Sequence, residues 1–476
     1  MAALNTRNIK PALPPQGGTP PRVFEPSNTR RTHEGAPAAQ ISPEMALRRS
    51  VCACLLWEDT FYESGQDVAA RITELAGQVA PTVLAQLAID ARSHLNLRHV
   101  PLLLCAVLAR TGSGTRIVSD TISQTIQRAD ELSEFLAVYA RANGVEPKAL
   151  KKKLSAQVKK GLAAAFAKFD RYALAKYFSP SGEAGQPIKG RDVMFLVHPK
   201  PRDAEQAALW KQLVAGEVKS ADTWEVGLSA GPAEGVSKEQ HKRAVFEGQL
   251  RDGKLGYLAL LRNLRNMTEA GVDPSLVSSA ILARKGARRV LPFRYVAAAR
   301  AAPAMVPFLD PAMRAAVAEL PALPGRTVVL VDVSGSMNQK ISAKSDLSRI
   351  DAAAALAVMI HGDVRIYTFS NRVAEVSRPA GGLSGIQQIL LSQPHQGTEL
   401  GAAVQTLNSG VEMDRLIVIT DEQSGDHVPE PPHGAHAYLI NVAAYQNGVG
   451  YGERWTHLDG FSEQVIRWVH EFEALI

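Results

Sequence analysis

Cysteine is scarce: three in 476 residues. That excludes a disulfide-stapled scaffold and points to a reducing compartment. No stretch approaches eighteen consecutive apolar residues, so no membrane-spanning helix is expected. The opening MAALNTRNIKPALPPQGG lacks the apolar core of a secretory signal. A soluble, cytoplasmic protein with no membrane partner is the expectation. Enzyme signatures are missing as well. RTGSGTR lacks the Lys-Ser/Thr ending of a phosphate-binding loop, and Cys52-x-Cys54 has no second ligand pair nearby. No G-x-S-x-G elbow surrounds the Asp332 loop. No general base or second carboxylate cluster accompanies Asp332 and Asp421, so no catalytic residue is assigned and no enzymatic activity is expected. Disorder is excluded too, because 46% of residues are hydrophobic. The length allows two or three domains.

Charge is unevenly spread. From Arg326 onward there are 10 Lys and Arg against 17 Asp and Glu, leaving a net charge of +13 on the residues before it. A basic large part joined to an acidic small part suggests two jobs. The basic part suits a polyanion, since Lys and Arg release counterions from phosphate backbones. Residues 1–40, with PALPP and TPPRVFEP, read as an extended Pro-rich arm. Residues 41–324 read as helices, because apolar residues recur at helical spacing in segments such as PTVLAQLAIDARSHL and ELSEFLAVYARA. Breaks at Gly65, Pro81, Pro101, Gly112, Gly144 and Pro147 give short links, which suggests stacked helical hairpins. Lys148, Lys151, Lys152, Lys153, Lys159 and Lys160 form a basic stripe on one expected helical stretch.

After Pro324 and Gly325 the pattern changes. RTVVLVDVSGS, VRIYTFS, RLIVITDEQS and HAYLINVAA read as strands. ALAVMIHG and GAAVQTLNS alternate with them as helices, and SEQVIRWVHEFEAL closes the chain as another. The alternation predicts a doubly wound α/β sheet over 325–476, with ligands at the carboxyl ends of its strands. There Asp332, Ser334 and Ser336 form a D-x-S-x-S loop. Thr398 stands before a helix and Asp421 ends a strand. Two carboxylates and three hydroxyls are hard oxygen donors, suited to Mg²⁺, Mn²⁺ or Ca²⁺ rather than zinc. Magnesium is the expected cofactor. So few formal charges would leave the ion partly positive and open to an acidic ligand from a partner.

These five residues resemble the metal-ion-dependent adhesion site of von Willebrand factor A domains. In the helical part, LRRSVCACLLWEDTFYESG, VKKGLAAAFAKFDRYALAKY, GRDVMFLVHPKP, LGYLALLRNLRNMTEAGV and LPFRYVAAAR resemble the TROVE domain of the Ro ribonucleoprotein autoantigen family. The resemblance implies a HEAT-like helical-repeat ring followed by an A domain that joins its ends. It implies RNA partners: single-stranded 3′ ends of misfolded RNAs in the ring, and small noncoding, Y-like RNAs outside it. Noncoding RNA quality control or processing is the implied role. A protein with an acidic residue at the metal site, an exoribonuclease being one such, is the implied second partner. Lys176 and His198 match positions that the family uses for RNA on the outer surface, and Arg191 and Lys200 flank them. Arg262 and Arg265, three apart on an amphipathic helix, share a face that would grip a single strand if it lined the hole. The SPSGEAGQP loop after Lys176 brings no further basic residue before Lys189, which weakens the outer site. Arg48 and Arg49, followed by Trp57 and Tyr62, offer charge and aromatic surface. The alternative is a metal-dependent protein-interaction module without an RNA function; a metal-dependent nuclease is a third reading.

Overall fold

The computed structural model describes residues 42–52, 65–94, 97–146, 149–179, 188–220, 222–287, 293–320, 322–341, 347–377, 381–443 and 454–459. Positions 290, 448–449, 466, 469–470 and 473 are described besides. The arm at 1–40, Lys148, Trp57, Tyr62, the side chain of Arg49 and most of the closing helix lie outside them. The chain forms two compact units, the first running to Val226 and the second from Gly227 onward.

In the first unit the helices are α1 (Pro43–Cys52), α2 (Gly65–Ala76), α3 (Pro81–Ser93), α4 (His99–Thr111), α5 (Arg116–Thr125), α6 (Asp130–Ala142), α7 (Leu150–Lys153), α8 (Ala156–Phe166), α9 (Arg171–Phe178), α10 (Gly190–Val197) and α11 (Ala204–Ala215). Helix α4 is buried on every side from Val100 to Ala109, which explains its all-apolar sequence. Its neighbours α3 and α5 bury one face each, whereas α6 is buried along most of its surface. Acidic and hydroxyl residues cap three of these helices, α8, α9 and α11. Asp170 accepts from the Ala173 amide at 2.8 Å and Asp203 from Gln206 at 2.7 Å. Caps of this type contribute about 1 kcal/mol each.

The expected lysine stripe does not run along one helix. Ser155 stands extended between α7 and α8, and its Oγ accepts from the Val158 amide at 3.3 Å. The chain therefore restarts there, with Lys151, Lys152 and Lys153 exposed on α7 and Lys160 on α8. Lys159 folds back to donate to the Lys151 carbonyl at 3.3 Å.

The second unit holds α13 (Lys238–Arg251), α14 (Tyr257–Glu269), α15 (Pro274–Ala283), α16 (Phe293–Ala301) and α17 (Val306–Ala318), after a short α12 (Trp224–Ser229) at the boundary. A six-stranded sheet follows: β1 (Leu323–Asp332), β2 (Gly362–Phe369), β3 (Val373–Val376), β4 (Arg415–Thr420), β5 (His436–Asn441) and β6 (Thr456–Asp459). Helices α18 (Arg349–Ala357), α19 (Gly382–Leu390) and α20 (Leu400–Gly410) alternate with the strands. The order is β3-β2-β1-β4-β5-β6, all parallel except the edge strand β3. Val328 to Val331 and Leu416 to Ile419 are fully buried, as continuous apolar strands covered on both faces must be. The helical part follows into this α/β part as the sequence patterns indicate.

Helices α16 and α17 pack on the α/β part. Arg300 donates to Asp351 at 2.5 Å, and Asp310 accepts from the Leu383 amide at 2.7 Å. At Gly382 the backbone has φ 69°, and a Cβ would stand 2.4 Å from the Asp310 carboxylate. Only glycine meets both demands.

Candidate functional site

Strands β1 and β4 are in-register parallel neighbours, with Val331 opposite Ile419. Strand β1 ends in Asp332 and Asp421 directly follows β4, so both aspartates leave the same edge of the sheet. The Ser334 amide donates to Asp332 Oδ1 at 2.8 Å, and Thr420 Oγ1 donates to Oδ2 at 2.5 Å. Ser334 Oγ and Ser336 Oγ stand 3.3 Å apart. The Gly335 amide donates to the Gln396 carbonyl at 2.8 Å, fastening the first loop to the Thr398 loop. The Thr398 carbonyl accepts from the Gly425 amide at 2.8 Å and from Ser424 Oγ at 3.3 Å, fastening that loop to the one after Asp421. Asp426 completes the seam by accepting from the Gly401 and Ala402 amides, at 2.8 and 2.7 Å, where α20 begins. The structure thus brings all three motif loops together.

Asp332, Ser334, Thr398 and Asp421 are buried, and Ser336 is half-buried. Burial, with the adjacent Asp421 charge, pushes the Asp332 carboxyl up to about 7, against the pull of the Ser334 and Thr420 hydrogen bonds. Two buried aspartates and three hydroxyls form an all-oxygen donor set that fits a hard divalent ion. Among the described residues, no three carboxylate, imidazole or thiol groups converge. Of the five donors, only Asp332 and Asp421 bring carboxylates.

Sequence reasoning missed two neighbours. Arg349, 4% exposed, places Nη1 3.2 Å from Asp421 Oδ2. An arginine opening a helix is disfavoured by the helix dipole, and that was the available signal. Glu422 holds a left-handed backbone, φ 61°, and faces His457 Nε2 at 3.2 Å. Nothing local in the sequence marks it.

The RNA candidates fall in both units. In the first, Arg191 lies in the first turn of α10. His198 caps the end of that helix with φ 49°, and Lys200 follows; all three are exposed. Lys176, in the last turn of α9, is 30% exposed and 4.0 Å from Glu225. Part of its charge is therefore spent on an acidic neighbour. In the second unit, Arg262 and Arg265 share the exposed face of α14, as their spacing requires. Arg262 is close enough to Arg294 of α16 that its charge helps lower the Arg294 pKa, after burial.

The von Willebrand factor type A domain family matches residues 327–423. No curated protein matches the chain by sequence. Among solved structures, the Ro (RSR) protein of Deinococcus radiodurans matches with a TM-score of 0.60 at 18% identity, over 90% of this chain and 99% of that one. The match spans the helical part and the sheet together, so the chain is Ro-like in fold and carries a von Willebrand factor A domain.

Proposed function

We propose that the protein binds RNA through its helical part and a divalent cation through its A domain. The exposed cluster of Arg191, His198 and Lys200 on a Ro-like fold carries the RNA reading. Among the described residues, no carboxylate pairs with any of the three, so the Arg191 and Lys200 charges are available to phosphate and the His198 ring can add a hydrogen bond. Arg262 and Arg265 supply a second cationic face. The ligands in this reading are small structured noncoding RNAs, Y-like ones included, and single-stranded 3′ ends of misfolded RNA, handled in cytoplasmic quality control. The protein acts as a scaffold rather than as an enzyme.

Asp332, Ser334, Ser336, Thr398 and Asp421 would hold the ion, best Mg²⁺, on the geometry of the three stitched loops. When bound, the ion supplies Lewis acidity toward a carboxylate. Such a carboxylate would belong to a partner protein, an exoribonuclease in the quality-control reading. The chain's own residues orient the site: Thr420 fixes Asp332, and Arg349 fixes Asp421.

Fluorescence anisotropy with a 3′-tailed RNA and a hairpin, across a salt series, tests the RNA reading. Affinity should fall by roughly 10³ between 50 and 200 mM salt if about six phosphates are engaged. Absence of binding at low salt leaves the metal-dependent protein-interaction reading in its place.

A further inference from the structure

Helix α10 shows solvent an aromatic side chain one turn from an arginine. Phe195 is 55% exposed, although the same helix buries Val193 and Val197. Arg191 is four residues before it on the same helix face, and His198 follows as the cap at the end of the helix. Lys200 and Lys189, both exposed, extend the positive charge at either end. Asp192 is the only carboxylate on the helix, and it is engaged in accepting from the Lys189 amide at 2.9 Å.

The helix is firmly seated. A Cβ on Gly190 would lie 2.5 Å from the Phe178 ring, which stacks on Phe166 with centroids 6.3 Å apart. Phe166 meets Trp210 edge-on at 5.4 Å. The face that Phe195 presents is therefore held on a rigid aromatic floor. His198 adds a backbone observation. It keeps a left-handed conformation at a helix end where glycine or asparagine costs least.

A lone exposed aromatic needs no explanation. One with a guanidinium a turn away on its own face and an imidazole at the helix end matches the recognition of unstacked bases, where an aromatic takes the ring and polar groups take the phosphates. Tyr172 on α9 provides the contrast. It is equally exposed, at 56%, but its pKa is raised first by burial and then by the nearby carboxylates of Glu225, Asp170 and Asp222.

We infer that Phe195 is a base-stacking platform for an unpaired nucleotide of RNA, with Arg191 and His198 holding the flanking phosphates. The inference rests on the RNA-binding reading and adds a residue and a ligand form to it: a single-stranded or bulged segment rather than a continuous duplex.

The test uses the full chain and an RNA whose unpaired segment carries 2-aminopurine. Phe195→Leu keeps an apolar residue of good helix propensity, Phe195→Trp keeps a ring, and Tyr172→Ala is the control. Phe195→Leu should weaken the RNA with unpaired bases roughly tenfold or more, with an unchanged salt slope, because no phosphate contact is lost. It should also abolish the stacking quench of 2-aminopurine. Phe195→Trp should restore both, and Tyr172→Ala should change neither. Wild-type affinity and quench in Phe195→Leu would overturn the platform while leaving RNA binding intact. Loss of a co-purifying protein with RNA affinity unchanged would assign the face to that protein and overturn it equally. Absence of RNA binding by the wild type would overturn the underlying reading with it.

Discussion

Asp332 and Asp421 lie buried at one sheet edge, where the Arg349 guanidinium pairs with Asp421. The Asp332 carboxyl is raised from 3.8 to about 7, chiefly by burial. Its folded form thus holds a proton more tightly than its unfolded form. In metal-free protein this contribution is fully present below about pH 4 and is lost as pH rises through about 7. Asp332→Asn should remove that downward slope, seen as thermal midpoints that no longer fall between pH 4 and 7 relative to wild type. Arg349 supplies the opposite balance. Arg349→Met leaves the buried Asp421 carboxylate without its guanidinium, at a cost of about 3–5 kcal/mol. Melting without metal should show the full loss, and saturating Mg²⁺ should recover much of it if the five donors bind the ion. A loss that Mg²⁺ does not touch would remove the metal from this site. The aspartates, serines and threonine were legible because each sits at a strand end or a helix start. Arg349 was not, because its partner is 72 residues away and nothing in the local pattern pairs them.

Elements built on continuous apolar runs were readable: β1, β2, β4 and β5 all stand where VVLV, RIYTF, LIVIT and AYLIN place them. The strands β3 and β6, four residues each, were not. A short edge strand buries too little to show alternation, and its pairing is decided by the neighbour. The same limit hid the break at Ser155, where a cap interrupts an otherwise helical pattern. At the opposite end of the sheet from the aspartates, Arg415 opens β4 with 2% exposure. It donates to the Pro324 carbonyl at 2.9 Å and Thr327 Oγ1 at 2.6 Å, and it pairs with Glu473 near the C-terminus. Tyr438 of β5 donates to the same glutamate at 2.9 Å. One carboxylate thereby ties the starts of three strands to the last residues of the chain. Glu473→Ala should destabilise the protein by about 3–5 kcal/mol, because it strands a buried guanidinium. Urea unfolding would show the shift, whereas Mg²⁺ affinity should stay unchanged because the clamp and the aspartates occupy opposite edges.

At the scale of the molecule, the change of sequence pattern at Pro324 and the compact units do not coincide. Helices α13 to α17 resemble the helices before them in pattern, yet they share a unit with the sheet. The contacts responsible, Arg300 with Asp351 and Asp310 with Leu383, span 51 and 73 residues. No local periodicity encodes such pairs, although Gly382 was a visible clue once its close approach is known. The charge division was legible from composition alone, and it sets the last expectation. The metal donors belong to the stretch with net charge −7, whereas the RNA candidates belong to the stretch with +13. Phosphate binding draws on the second, so it should be indifferent to the first. Asp332→Ala removes one carboxylate that already prefers its proton near neutrality, so the fold should survive in the absence of metal. Calorimetric titration should show Mg²⁺ binding lost in this variant. Anisotropy should show RNA affinity within about twofold of wild type and the same salt slope, since the number of phosphates neutralised is unchanged. Arg191→Ala should do the reverse, reducing the slope by about 0.7 for a single strand while leaving Mg²⁺ binding alone. If Asp332→Ala, still folded, loses RNA instead, then the cation serves RNA directly and the two halves of the chain do not divide the work.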